Sequence, residues 1–186
     1  GMRNNSKLAN IYLGFMLVVM YLPIIIVIVY SFNRSRISSI WGGFSLKWYE
    51  ELLRDRSMFD AAKNSLVLAT SSSVLAAIIG TLAAVGMPHV NLRGKGVVEY
   101  ISTLPIMIPE IILGMVFLVY FALIGLPFGM VTLVIAHTSF CIPYIYMLVK
   151  ARLVGIDKSL AEAARDLGAS EVRVFFVITL PLILPA

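Results

Sequence analysis

The sequence predicts an all-α protein, a polytopic bundle of transmembrane helices. Two bulk properties point there: the 186 residues are 60% hydrophobic and only 13% charged, and the mean hydropathy is +0.93. An ordinary soluble domain carries about a quarter charged residues. The third observation is spacing: four apolar runs are each long enough, at about 1.5 Å of helical rise per residue, to reach across a hydrocarbon core about 30 Å thick. The single transmembrane domain is expected to cover 1–186, with crossings at about 11–30, 65–87, 97–124 and 130–149 and the start of a fifth at 174–186.

The first crossing, 11–30, has no charge, and Pro23 within it predicts a kink rather than an end, because neighbouring helices can satisfy the freed carbonyl. A polar interval follows. Ser45 can cap a short helix with Trp48, Tyr49, Leu52 and Leu53 on one side and Glu50, Glu51, Arg54 and Asp55 on the other, a composition suited to the membrane interface. Ser57 and Asp60 have capping-box spacing for the next helix. In the second crossing, Ala69, Ser73 and Ala77 form one stripe of small residues and Ala76, Gly80 and Ala84 a second, surfaces that let another helix approach closely.

The third run contains Pro105 and Pro109, with Glu99 near its start, where it reads as interfacial, and Glu110 well inside. A carboxylate in an apolar segment is costly against lipid, so Glu110 is a candidate for a wet cargo path that favours a cation; pairing with another helix, or a place near an interface, is the competing reading. The fourth run holds His137 and Tyr144, seven residues apart and so on one helical face, and Tyr120 is a further candidate lining aromatic. A ring could attract an ammonium through its quadrupole, although ordinary packing or an interfacial hydroxyl contact is the favoured reading of each residue taken singly. His137 lacks companions for a metal site, and no metal is expected.

Charge counting sets the topology. With residues 2–10 inside, the linker 88–96 and the segment 150–173 are also inside, and these three intervals hold nine of the 15 basic residues. Bases confined between apolar runs act as topology signals and headgroup contacts, so nucleic acid is not an expected partner whereas membrane lipid is. Cys141, the single cysteine, excludes an intrachain disulfide.

The segment 150–173 changes character, with nine charges. Ser159 and Glu162 fit a capping box, Leu160, Ala163, Ala164 and Leu167 can share an apolar face, Gly168 can end the helix in a left-handed turn, and Ser170 can cap the next. Arg165, Asp166 and Glu162 offer polar contacts at the rim. Periodicity is equally consistent with a docking knob and with an amphipathic connector lying against lipid or the bundle. On the residues alone, a secondary transporter, a channel subunit and a membrane scaffold stay open.

Glu162-Ala163-Ala164, then Gly168, and later Ile178 with Leu180-Pro181, resemble the EAA signature of permease subunits of binding-protein-dependent ATP-binding-cassette importers. Asn33, the run Phe44-Ser45-Leu46-Lys47-Trp48-Tyr49 and the run from Ala163 to Glu171 are similar to the spermidine/putrescine branch of that family, in its PotC-type subunit. The resemblance implies the type I importer (MetI-like) permease fold in a bacterial inner membrane, normally with six crossings, of which this sequence is expected to supply four and part of a fifth, truncated at the carboxy terminus. It also implies that Ser159, Leu160, Glu162, Ala163, Ala164, Arg165, Asp166, Leu167 and Gly168 form a helix coupling the permease to its motor. The implied partners are a cytoplasmic ATPase homodimer, a second, PotB-like permease and an external polyamine-binding protein. ATP and Mg are expected on the ATPase and no cofactor on this chain, where Gly94-Lys95-Gly96 lacks the spacing of a phosphate loop and no nucleophile and base converge.

Overall fold

The computed structural model describes residues 2–186, with side chains from Asn5 onward, so that the Arg3 side chain counted above lies outside the described residues. The chain is 77% helical, with no strands among the described residues. It divides into two compact units, Gly1–Lys63 and Asn64–Ala186.

In the first unit, α1 (Met2–Tyr30) runs through Pro23 without interruption. All its described residues are exposed, as expected of a helix whose solvent is lipid. The loop 31–46 folds around Asn33 and leads into α2 (Lys47–Arg54). Ser45 Oγ accepts from the Lys47 amide at 3.1 Å, but the N-cap position is Leu46, so the expected serine stands one residue outside the cap. The next start differs from expectation. Helix α3 (Arg56–Gly86) begins two turns before the apolar run and is capped by Asp55, whose Oδ1 accepts from the Met58 amide at 3.2 Å. The Ser57–Asp60 box is not formed: Ser57 is already helical, and Asp55 places a carboxylate at the N-cap, where it receives an orphan amide and faces the positive end of the helix dipole.

In the second unit, Ser72, Ala76, Gly80 and Ala84 are the buried residues of α3. A Cβ on Gly80 would lie 2.9 Å from Ile145 Cγ2 and 3.3 Å from the Ile142 carbonyl. The predicted stripe Ala76, Gly80, Ala84 therefore lets α3 touch α6 (Met130–Val154), while Ala69, Ser73 and Ala77 face outward. Further along, Ala84 shares a core with Tyr146, Val149 and Ile183. Contacts thus advance in the same direction on both helices, which makes α3 and α6 parallel.

Between them lie a 3-10 turn at Met87–His89, α4 (Lys95–Met107) and α5 (Glu110–Leu123). The run 97–124, expected as one interrupted crossing, is two helices meeting at 112°. The cause is local. Ile108 precedes a proline and takes an extended conformation (ψ 134°), and Pro109 is extended as well (ψ 134°), so two successive residues leave the helical region. Pro105 is accommodated inside α4. Among the described residues, three helices are long and apolar enough to cross a membrane, or four spans if the bent pair is one.

After α6 come α7 (Ser159–Asp166) and a helical run made of α8 (Glu171–Val174), a π-turn at Phe175–Thr179 and α9 (Leu180–Ile183). The π-turn precedes Pro181: the Leu180 amide reaches back to the Phe175 carbonyl. A proline ring clashes with the carbonyl four residues before it, and widening the turn there makes room.

Candidate functional site

The coupling-segment candidates form one hairpin of helices. α6 ends at Gly155, and Asp157 Oδ1 accepts from the Ser159 amide at 2.9 Å, a bond that holds the Asp157 carboxyl below its ordinary pKa. The start of α7 is therefore made by Asp157; the expected Ser159–Glu162 capping box is not formed, because Ser159 is the first helical residue and its own amide is the donor needing a partner. The end is as expected. Gly168 adopts φ +86°, its amide bonds the Arg165 carbonyl at 2.9 Å, and the Ala169 amide bonds the Ala164 carbonyl at 3.0 Å. These two bonds form the Schellman motif, which a side chain with a Cβ at Gly168 would strain. Ser170 Oγ then caps α8 through the Arg173 amide at 3.3 Å.

One side-chain contact closes the hairpin. Arg165 Nε donates to Glu171 Oε1 at 2.7 Å and Nη2 to Oε2 at 3.2 Å, a fork-to-fork pair. The hydrogen bond from Arg165 is the main reason that the Glu171 carboxyl sits below its usual pKa. Arg165 is thereby engaged within the hairpin, whereas Glu162 and Asp166 are exposed. Of the predicted apolar face, Leu160, Ala163 and Leu167 point outward, Leu167 with 89% of its surface free, while Ala164 turns partly inward. Leu160, Ala163 and Leu167 at i, i+3 and i+7 make an apolar ridge that this chain leaves uncovered. Behind α7, a cavity of about 880 Å³ opens towards the ends of α3 and α6, lined by Glu162, Leu153, Ile156 and Phe176 among others.

Residues 76–186 match the family of binding-protein-dependent transport system inner membrane components. The chain belongs to that family. It is accordingly an inner-membrane permease. It is 40% identical, over 99% of its length and 67% of the relative's, to the putrescine transport system permease protein PotI of Escherichia coli (strain K12). It is 42% identical, over 93% of its length and 67% of the relative's, to the spermidine/putrescine transport system permease protein PotC of the same strain. Among solved structures, a bacterial ABC transporter involved in the import of the acidic polysaccharide alginate superposes with a TM-score of 0.74 at 18% identity, covering 99% of this chain and 70% of that one, which shows the importer permease fold. The family resemblance carried by Glu162, Gly168 and Pro181 thus holds, and with it membership of an assembly that includes an ATPase and a substrate-binding protein.

The cargo-path candidates are more scattered. Glu110 is the first residue of α5, at the apex of the bend, exposed and at the positive end of the helix dipole. His137 and Tyr144 do share the exposed face of α6, with Phe140 between them and its ring 5.4 Å from that of Tyr144. His137 Nδ1 lies 2.8 Å from the Leu133 carbonyl. Tyr120 is exposed on α5, its ring 6.1 Å from Phe121. Among the described residues, no hydrogen bond or ring contact joins any two of these four.

A further cluster emerges from the structure. Tyr146 donates its hydroxyl to Glu99 Oε1 at 3.0 Å, Lys150 Nζ lies 3.8 Å from Glu99 Oε2, and the same ammonium stands 5.7 Å from the Tyr146 ring centre. The first turns of α4 are thereby fastened to the last turns of the permease's α6. The available signal was the i, i+4 spacing of Tyr146 and Lys150 on one face, with Glu99, read as interfacial, as an acid without an assigned partner.

Proposed function

We propose that this permease is one membrane subunit of an ATP-driven importer for spermidine, putrescine or a similar polyamine. Its cytoplasmic helix α7 would seat in an ATPase subunit, two copies of which bind ATP and Mg, while a second, PotB-like permease completes the path and an external polyamine-binding protein delivers cargo. The permease itself performs no bond chemistry. The observation that carries this reading is the uncovered ridge of Leu160, Ala163 and Leu167 on a helix closed at both ends. A rigid knob transmits displacement, whereas a frayed one absorbs it. Closure of the motor would move α7, and the Gly155 turn and the Arg165–Glu171 pair would pass that movement to α6 and to the run from Glu171. Alternation between inward-open and outward-open bundles follows.

The polyamine assignment is supported by the PotI and PotC relatives, and Glu110 is the carboxylate proposed to face the path, with Tyr120, His137 and Tyr144 as aromatic lining. A carboxylate at the break between two helices meets a wet, polar surrounding in which a polyamine cation can pair with it. Reconstitution with the partner subunits should give ATP-dependent uptake of spermidine or putrescine in preference to other small cations. ATP-dependent transport of an unrelated solute alone would remove the polyamine assignment, and ATP-independent uptake would remove the importer reading. Glu162→Lys, a reversal of charge on the exposed rim of α7, should leave membrane insertion intact and abolish stimulation of ATP hydrolysis by the loaded binding protein.

A further inference from the structure

The loop 31–46 is built around one buried polar side chain, with its large apolar side chains outside. Asn33, only 2% exposed, is its centre. The Asn33 amide nitrogen donates to the Ile40 carbonyl at 2.8 Å, and Oδ1 accepts from the amides of Ser35 at 3.1 Å and Gly42 at 2.8 Å. The Asn33 backbone carbonyl accepts from Trp48 Nε1 at 2.7 Å. Arg34 and Ser45 amides bond the Gly43 and Phe32 carbonyls at 3.0 and 2.7 Å, closing the two ends of the loop on each other. Outside this network stand Ile37, Ile40, Trp41, Phe44 and Leu46, all exposed, Phe44 by 70%. A water-facing loop has no need to tie its backbone to one buried amide while exposing five large apolar side chains; irregular backbone near a bilayer does, because lipid offers it no hydrogen bonds.

Position and charge identify what covers this surface. The loop continues α1, whose described side chains are exposed along the whole apolar span. Trp41 stands edge-on to Tyr30, the last residue of that helix, with ring centres 5.8 Å apart, so an aromatic pair marks the end of the span. Trp and Tyr concentrate at this depth of a membrane. The loop contains Arg34 and Arg36, both exposed, and no acid. Arg36 lies over the Trp48 ring at 5.8 Å and, with Ser35, Ser38 and Tyr30, lines a hollow of about 480 Å³ beside the aromatic pair.

We propose that this loop is a lipid anchor. It beds Ile37, Ile40, Trp41 and Phe44 in the headgroup and acyl boundary at the carboxy-terminal end of α1, while Arg34 and Arg36 pair with phospholipid phosphate. A rigid polar core lets it enter that layer without unsatisfied backbone, and the cations add attraction to anionic lipid. The anchor fixes the end of a helix that packs little against the rest of its own unit, and this role does not depend on the cargo.

Spin labels test it in the assembled importer in liposomes. Cysteines are placed singly at 37, 40, 41 and 44 in a Cys141→Ser background, and collision with oxygen is compared with collision with an aqueous nickel chelate. Oxygen should dominate at all four positions, and excess loaded binding protein should not change this. Dominant nickel collisions would place the loop in water, and protection from both probes would mean that a protein covers it; either result overturns the proposal. A second measurement leaves the loop unaltered: the chain's two tryptophans, Trp41 and Trp48, both belong to this region. The permease should lose tryptophan emission in bilayers brominated at shallow acyl positions, and Trp41→Phe should remove most of that loss, since the Trp48 indole is half-buried against Asn33. Unquenched emission in the unaltered permease would also overturn it.

Discussion

Arg165 joins two helices through a single carboxylate, so the protonation of Glu171 acts on one of the contacts that hold the hairpin closed. The Glu171 carboxyl is depressed below its ordinary pKa, chiefly by the bond from Arg165. The folded turn therefore binds a proton more weakly than the unfolded chain. The pair's stabilisation is fully present above the ordinary glutamate range and is lost as pH falls through the depressed value. Carboxyl titration followed by carbon NMR should show Glu171 titrating below a free glutamate, and Arg165→Gln should return it upward; an unchanged midpoint in that variant would remove the pairing from the account. Asn33 offers a second residue-scale test. Asn33→Ala strands the Ser35 and Gly42 amides and the Ile40 carbonyl in a closed loop, and buried groups left without partners cost on the order of 1–3 kcal/mol each. Proteolysis within 34–46 should accelerate in Asn33→Ala and less in Asn33→Asp, which keeps both acceptor contacts.

At the scale of elements, the crossing of α3 and α6 depends on an absent side chain. Gly80→Ala would put a methyl 2.9 Å from Ile145 Cγ2, close to the Ile142 carbonyl, and such overpacking costs about 1–3 kcal/mol. Thermal unfolding in detergent should show Gly80→Ala destabilised, with Ser73→Ala on the exposed stripe as a control near wild type. This stripe was legible in the sequence because small residues every four positions have one helical meaning, although which of the two stripes would be buried was not. The Gly168 terminus and Ser170 cap were legible for a similar reason: each is a local bond with a fixed offset. The helix starts were misread where an aspartate two residues upstream of the expected serine makes the start instead, as Asp55 before Ser57 and Asp157 before Ser159. Pro105 and Pro109 announced an interruption but not a turn of 112°, which depends on Ile108 and Pro109 both becoming extended. The π-turn before Pro181 and the Asn33 loop left little pattern, since their bonds join residues whose spacing has no period.

The sharp bend raises a question that only the whole permease answers: whether α4 and α5 together cross the membrane or return to the side they left. Glu99 decides it. This residue, in the second turn of α4, bonds Tyr146 at 3.0 Å and lies 3.8 Å from Lys150, both near the end of α6, so the start of α4 and the end of α6 occupy the same membrane face. Helix α6 has 25 residues, roughly 37 Å at the helical rise, and its first residue must therefore lie at the opposite face. The turn 125–129 that feeds it would lie there too, and on this ground we propose that the bent pair makes one crossing. Parallel α3 and α6 demand the same return path between them. With the basic intervals inside, α7 falls on the cytoplasmic face and Phe128 on the external one. In a Cys141→Ser background, Phe128→Cys should react with a membrane-impermeant maleimide on intact cells, and Lys158→Cys only after permeabilisation. The reverse pattern, Lys158→Cys reacting on intact cells and Phe128→Cys only after permeabilisation, would make the pair a re-entrant loop, detach α4 from the end of α6, and leave the coupling helix without access to any cytoplasmic motor.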